Sequence, residues 1–198
     1  MKLETYRIIV MNLNSRGDRW EEISDELDRM NLRPYFRFAS HTGGLEGYNR
    51  TYLDCMRFNG NMFLFEDDTM FTDGARDILD KAITQLPDDF DMIYLGGNVL
   101  EPIQRYSDNL YRAYRGVHCT HAVLWSDAGR RKFLKYYPPE KQEGQLVDNW
   151  IFERGQSLMN CYVISPLIAF QRPSYSDVSN TYSDYVQEMK EHEKQNML

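Results

Sequence analysis

The sequence predicts one α/β domain, on three observations. Short, wholly apolar runs alternate with stretches whose apolar residues recur every three or four positions, the periodicities of strand and helix. The apolar runs break off into polar, acidic or glycine-bearing segments. At 198 residues the chain can fill one core and is short for two.

In chain order, residues 6–13 hold Ile8-Ile9-Val10-Met11, a run fit for a buried strand. Asn14 and Ser15 then offer capping side chains, and Trp20, Ile23, Leu27 and Met30 form one apolar stripe on a helix over 18–30. Residues 37–49 are polar, carry Gly43, Gly44 and Gly47, and read mostly as loop; 50–59 read as a helix. Met62-Phe63-Leu64-Phe65 is a second buried strand running into Glu66-Asp67-Asp68. Thr72 or Asp73 can cap a helix with the stripe Ile78, Leu79, Ala82, Ile83 and Leu86, stopped by Pro87. Residues 90–95 form a third strand that ends at Gly96-Gly97. Residues 106–115 read as an edge strand, 117–125 as another strand, 127–137 as a helix, 146–154 as a short helix and 162–164 as a last strand. The domain is expected over 1–178, with 179–198 a polar tail or exposed helix.

Composition excludes several classes. The balance of 23 basic against 30 acidic residues gives −7, which disfavours a non-specific DNA binder without excluding a local basic cleft. No apolar run approaches the ~18–20 residues of a membrane span. Met1-Lys2-Leu3-Glu4 has no apolar leader core, which predicts a cytoplasmic chain, in a bacterium or a virus-infected host cell. Cys55, Cys119 and Cys161 are scattered and odd in number, against a disulfide scaffold or zinc knuckle, and read as buried fillers.

Two segments carry candidate chemistry. Glu66-Asp67-Asp68 ends an apolar strand, where ligands gather in open α/β sheets. Three adjacent carboxylates repel one another unless a cation compensates, so they suit Mg²⁺ or Mn²⁺ bridging to a diphosphate; an acidic turn capping the next helix is the plainer reading. Asn12-Leu13-Asn14-Ser15-Arg16-Gly17-Asp18-Arg19-Trp20 joins the first strand to the first helix, where backbone N–H groups favour phosphate and Arg16 and Arg19 add charge. The alternative there is a solvated first turn with Arg19 paired to Glu22 or Glu26.

Together these segments resemble glycosyltransferase family 25, which includes lipopolysaccharide-core glycosyltransferases and collagen galactosyltransferases. The likeness continues in order through Asp91-Met92-Ile93-Tyr94-Leu95-Gly96-Gly97, through His118-Cys119-Thr120-His121-Ala122-Val123-Leu124-Trp125-Ser126, then Asp148 and Ser176-Asp177-Val178. It departs at Gly47-Tyr48-Asn49-Arg50-Thr51-Tyr52, where the family usually carries a Ser-His pair, so the usual sugar and acceptor preferences do not transfer.

The resemblance implies a GT-A-type fold, a nucleotide-binding domain with a mixed, mostly parallel sheet. It implies an inverting transfer from a nucleotide-sugar, a UDP-sugar by expectation, to a hydroxyl acceptor, with Mn²⁺ or Mg²⁺. Asp68, Glu66 and His121 are then the metal candidates, with Asp68 the first choice. Asn12, Asn14, Arg16, Arg19, Glu66, Asp67, Gly96, Gly97 and Asp177 are the donor-binding candidates. Asp148 is the general-base candidate, with an N-cap role as its alternative. His118 and His121 flank a predicted strand; each is a metal or diphosphate contact or a satisfied structural histidine. A cluster of Arg105, Arg112, Arg115, Arg130, Arg131, Lys132 and Lys135, interleaved with Tyr106, Tyr111 and Tyr114, suggests an anionic acceptor, either phosphorylated lipopolysaccharide core or modified DNA. A non-catalytic nucleotide-sugar or glycan binder is the competing class, and a metal-dependent phosphotransferase or nuclease a third.

Overall fold

A computed structural model describes residues 6–40, 43–138, 145–177 and 179–197. The segment used to argue against a leader lies outside these residues. The first half of the chain contributes β1 (Arg7–Leu13), α1 (Gly17–Arg29), β2 (Tyr35–Ser40), α2 (Gly44–Met56), β3 (Met62–Glu66), β4 (Thr69–Phe71), α3 (Ala75–Thr84) and β5 (Met92–Tyr94). Short strands β6 (Asn98–Val99), β7 (Gln104–Arg105), β8 (Leu110–Ala113) and β9 (Val117–His118) lead to β10 (Ala122–Trp125) and α4 (Asp127–Tyr136). A broken helix follows: α5 (Val147–Trp150), a π-helical turn (Ile151–Gly155) and α6 (Gln156–Leu158). The chain closes with β11 (Cys161–Ile164), β12 (Ala169–Gln171), β13 (Ser174–Ser176), β14 (Thr181–Ser183) and α7 (Val186–Asn196).

The central sheet runs β2-β1-β3-β10-β5-β11-β8-β7. Pairing is parallel in β2/β1, β1/β3 and β5/β11 and antiparallel in the other four ladders. The sheet is therefore mixed, as expected, but not mostly parallel. Antiparallel β10 lies between β3 and β5 and so divides the parallel strands.

Alternate residues of each strand feed opposite cores, so the strands are apolar throughout. Ile9, Met11, Leu64, Tyr94 and Val123 join Tyr52 and Met56 of α2 and Phe133 of α4 on one face. Ile8, Val10, Phe63, Phe65 and Leu124 join Ile23 and Leu27 of α1 and Leu79 and Ile83 of α3 on the other. Each such fully buried side chain contributes roughly 1.5–3 kcal/mol. At Gly129 a side chain would collide with the backbone of Asp91, so glycine lets α4 sit directly on the start of β5. Ser126 accepts a hydrogen bond from the Gly129 N–H and caps α4.

Several elements depart from the sequence reading. Residues 37–49 are not mostly loop: they supply most of β2 and the first turns of α2. The glycines there start a helix instead of preventing one. The expected side-chain cap of α3 is replaced by Gly74 in the left-handed region. The strand expected over 117–125 is broken at Cys119, whose φ is +72°. The segment after 178 does form a largely exposed helix, one of the two expectations, but it is not free of the domain. Helix α7 docks on β6 and β12 and buries Met189 completely, and Asn196 donates to the Val99 carbonyl.

Candidate active site

The ends of β1 and β3 open into a cleft of about 400 Å³. Register sets its floor. Met11 of β1 stands beside Glu66 of β3, so Asn12 and the Glu66-Asp67-Asp68 turn emerge together at the edge of the sheet. The turn is held from behind by His121, whose carbonyl accepts from the Glu66 N–H at 2.7 Å and from the Thr69 hydroxyl at 2.8 Å.

The three carboxylates are not equivalent. Asp67 turns inward, where Arg19 Nη1 meets its Oδ1 at 3.0 Å and Asn12 Nδ2 donates to its Oδ2 at 2.6 Å. Glu66 and Asp68 line the cleft, and among the described residues neither is in an ion pair, although the charges of Arg19 and Arg172 act on Asp68. Asp68 Oδ1 is shielded from solvent with no hydrogen-bond partner. Burial, then repulsion by Asp67, pushes the Asp68 carboxyl up to about 6; burial, then Asp68, raises Glu66 well above the ordinary carboxylate range. Tyr48 of α2 donates to Glu66 Oε1 at 2.9 Å and lies 3.0 Å from the Thr120 hydroxyl.

This donor set fits a hard divalent cation. Two oxygen-bearing side chains crowd together at a cost that a cation would relieve, and one of their oxygens lacks any partner. Among the described residues no three His, Cys, Asp or Glu side chains form a ready-made cage. A two-carboxylate site completed by substrate oxygens and water is the kind Mg²⁺ accepts.

His121 is not part of that set. Its imidazole is fully buried and absent from the cleft lining, and burial pushes its pKa down to about 4. It serves the turn through its backbone carbonyl instead. Gly96 and Gly97 also lie away from the cleft: a side chain at Gly96 would strike the Ala169 backbone and His121, and one at Gly97 would strike Val117. They are packing glycines and not donor contacts.

The first strand–helix junction is committed to protein partners. Arg19 is 7% exposed and, beyond Asp67, binds the Ser174 hydroxyl and the Tyr175 carbonyl. Arg16 pairs with Asp18 at 2.9 Å and with Asp177 at 2.7 Å. Both arginines therefore tether the β13–β14 hairpin, whose Ser174, Ser176 and Ser183 face the cleft. Of the donor candidates, Asn12, Arg19, Glu66, Asp67 and Asp177 line the cleft; Asn14 is exposed outside it, and Arg16 reaches it only through Asp177.

Asp148 also lines the cleft, at the start of α5, with its side chain 13% exposed. Burial raises its pKa and the His118 charge opposes the rise. It lies close enough to Glu66 to raise that group as well. The alternative role has support, since Asp148 Oδ1 accepts from the Asn149 N–H at 2.8 Å. Cys119 lines the cleft half-buried, so it is not one of the buried fillers expected. Sequence reasoning missed Tyr48 because the first turns of α2, residues 44–49, read as loop; its spacing of four from Tyr52 was the available signal.

The basic cluster over 105–135 does not form a rim to the cleft. Arg105, Arg115 and Arg131 pair with Asp108, Glu101 and Asp127, and Lys132 pairs with buried Asp91 at 2.7 Å. Arg130 is 2% exposed and binds carbonyls beyond α2. Arg112 binds the Cys161 carbonyl at 2.7 Å, and Lys135 lies over Tyr136. No helix of the described residues is long and apolar enough to cross a membrane.

No protein-family profile and no curated protein matches the sequence significantly. Solved structures do match in shape. A mannose-1-phosphate geranyltransferase from Thermus thermophilus superposes with TM-score 0.53 at 10% identity, over 84% of this chain and 76% of that one. The catalytic domain of Drosophila β1,4-galactosyltransferase 7 in complex with xylobiose gives 0.48 at 11%, over 92% and 73%. A197 from STIV gives 0.48 at 14%, over 91% and 96%. The fold thus defines the class: an α/β protein of the GT-A type.

Proposed function

We propose that the protein is a divalent-cation-dependent glycosyltransferase of the family 25 kind, moving a sugar from a UDP-sugar to a hydroxyl of a glycan with inversion at the anomeric carbon. One observation carries the reading. Glu66 and Asp68 stand at the end of β3 with raised pKa values and one buried Asp68 oxygen unpartnered, in a cleft that also holds Asp148. Glu66 and Asp68 would hold Mn²⁺ or Mg²⁺, which when bound neutralises the donor diphosphate. Asp148 takes the proton of the acceptor hydroxyl. The hydroxyl oxygen bonds to the anomeric carbon as the carbon–oxygen bond to the diphosphate breaks, and that electron pair leaves with the nucleoside diphosphate. The Ser174, Ser176 and Ser183 hydroxyls supply polar contacts along the hairpin side. The dispersal of the basic cluster removes the reason for an anionic acceptor, which favours a neutral glycan.

The test is UDP release from a panel of UDP-sugars with Mn²⁺ or EDTA, with neutral glycans as acceptors. Mn²⁺-dependent release that rises with acceptor, and is lost in Asp68→Ala, is the expected result. Metal-dependent binding without release for any donor would identify a non-catalytic binder. Consumption of a nucleoside triphosphate and sugar phosphate would identify a nucleotidyltransferase.

A further inference from the structure

His118 is placed by three contacts on one short stretch of chain. Its Nε2 lies 2.7 Å from Asn149 Oδ1 and 3.8 Å from Asp148 Oδ2, and its ring packs edge-on against Phe152, centroids 5.4 Å apart. Asn149 Oδ1 is an acceptor, so the proton sits on Nε2, the nitrogen beside Asp148. The remaining ring nitrogen, Nδ1, has the Cys119 thiol at 3.5 Å. Asp148 is fixed at its other oxygen, because Oδ1 accepts from the Asn149 N–H. Its Oδ1 is thus held by helix backbone, and its Oδ2 faces the imidazole at 3.8 Å, whose own Nε2 is anchored on the adjacent Asn149. The backbone of His118 is set as well: it pairs with Asn98 across the β6/β9 ladder, and Glu188 and His192 of α7 grip the Asn98 side chain.

We infer that His118 is the positioning residue for Asp148, keeping its carboxylate in place within the cleft as the proton acceptor. The inference rests on the assignment of Asp148 as base. Asp148 needs such a partner, since, beyond the Asn149 N–H, the other ionisable side chains around it oppose its charge or leave it unaided. Glu66 faces it from β3, Tyr48 and Tyr52 from α2, Tyr94 from β5 and Cys119 from the turn after β9. Glu66, when ionised, is an anion, and the phenols and thiol stay neutral at working pH because burial raises them. Of the ionisable side chains acting on Asp148, His118 is the one that favours its anion.

Two readouts test this. The first needs no ligand: the His118 ring resonances are compared by NMR, at one pH, between the wild type and Asp148→Asn. Loss of the carboxylate should change the ring's chemical shifts while those of His192 stay in place. Unchanged His118 resonances overturn the contact. The second uses UDP release from the active UDP-sugar with Mn²⁺. In His118→Gln, kcat should fall at least about tenfold at pH 6, with the donor KM unchanged and the acid limb of the kcat profile shifted to higher pH. An unshifted acid limb, or a loss confined to KM, overturns the role. If Asp148→Asn itself retains full release, the base assignment fails, whatever the NMR shows. A dead Asp148→Asn beside a wild-type pH profile in His118→Gln leaves that assignment standing and refutes this inference alone.

Discussion

Replacing Arg19 by Met tests whether the first arginine of α1 belongs to the donor site or to the architecture beneath it. The sequence alone allows a direct phosphate contact, for which loss of the charge would weaken donor binding by about 1.5–3 kcal/mol and spare stability. The structure points the other way. The side chains of Arg19 and Asp67 are 9% and 10% exposed, so the pair belongs with buried ion pairs and not with screened surface ones. Removing one member leaves a buried carboxylate with Asn12 as its remaining side-chain partner, which costs about 3–5 kcal/mol. The substitution also frees the Ser174 hydroxyl and the Tyr175 carbonyl, loosening β13.

The assay is urea unfolding followed by the fluorescence of buried Trp125 and Trp150, with Arg19→Met, Asp67→Asn and the double variant. The single variants should each lose several kcal/mol, and the double variant clearly less than their sum, giving a coupling of about 2–3 kcal/mol. A loss below about 1 kcal/mol in Arg19→Met, with additive effects and a drop in Mn²⁺-dependent UDP-sugar affinity, would refute the structural role and restore the phosphate contact.

Three further outcomes are expected. Asp68→Ala should abolish Mn²⁺ binding in calorimetry while leaving the urea midpoint unchanged or raised, because it removes a partly shielded, unpartnered carboxylate; a lowered midpoint would mean the carboxylate is held by protein. His121 is held neutral, with its pKa pushed from 6.5 to about 4, so the unfolded chain binds more protons between those values. Stability from this group is full above pH 6.5 and is lost as pH falls through about 4, a change of roughly 3 kcal/mol that His121→Leu should remove from the pH dependence of unfolding; equal pH dependence in both proteins would count against the buried, uncharged ring. Met189→Ala should cost about 2–4 kcal/mol if α7 is docked as described, and a negligible change in the urea midpoint would return α7 to a solvent-exposed tail.

The strands and helices legible in the sequence were those with one unambiguous period. β1, β3 and α4 lie within a residue or so of where their apolar patterns place them, because each must bury its own pattern. Of α2 only the second half is legible, through the helix expected over 50–59 that buries Tyr52 and Met56; its glycines and polar first turn look like loop. β12 to β14 are short segments whose partners lie far off in sequence or across a turn, and no local period announces them. The same limit governed the site. Acidic residues at a strand end were visible as a motif, but which of them faces the cleft depends on Asn12 and Arg19, both far from Asp67 in the chain.

That sorting of the carboxylates is the step at which fold becomes chemistry. A run of three acids at a strand end is electrostatically costly, and the structure gives only the middle one an ion pair, with a buried guanidinium and an amide. The pairing of Asp67 fixes the turn, and the fixed turn presents Glu66 and Asp68 to the cleft with their pKa values still raised by burial and by neighbouring carboxylates. Had Arg16 and Arg19 been free to meet a diphosphate, the anion could be held by protein alone and the outer carboxylates would oppose it. Both arginines are bound to Asp67, Asp18, Asp177 and the hairpin, and Arg172, which also lines the cleft, is paired with Glu22. A cation beside Glu66 and Asp68 is therefore what the proposed site would use to hold a diphosphate.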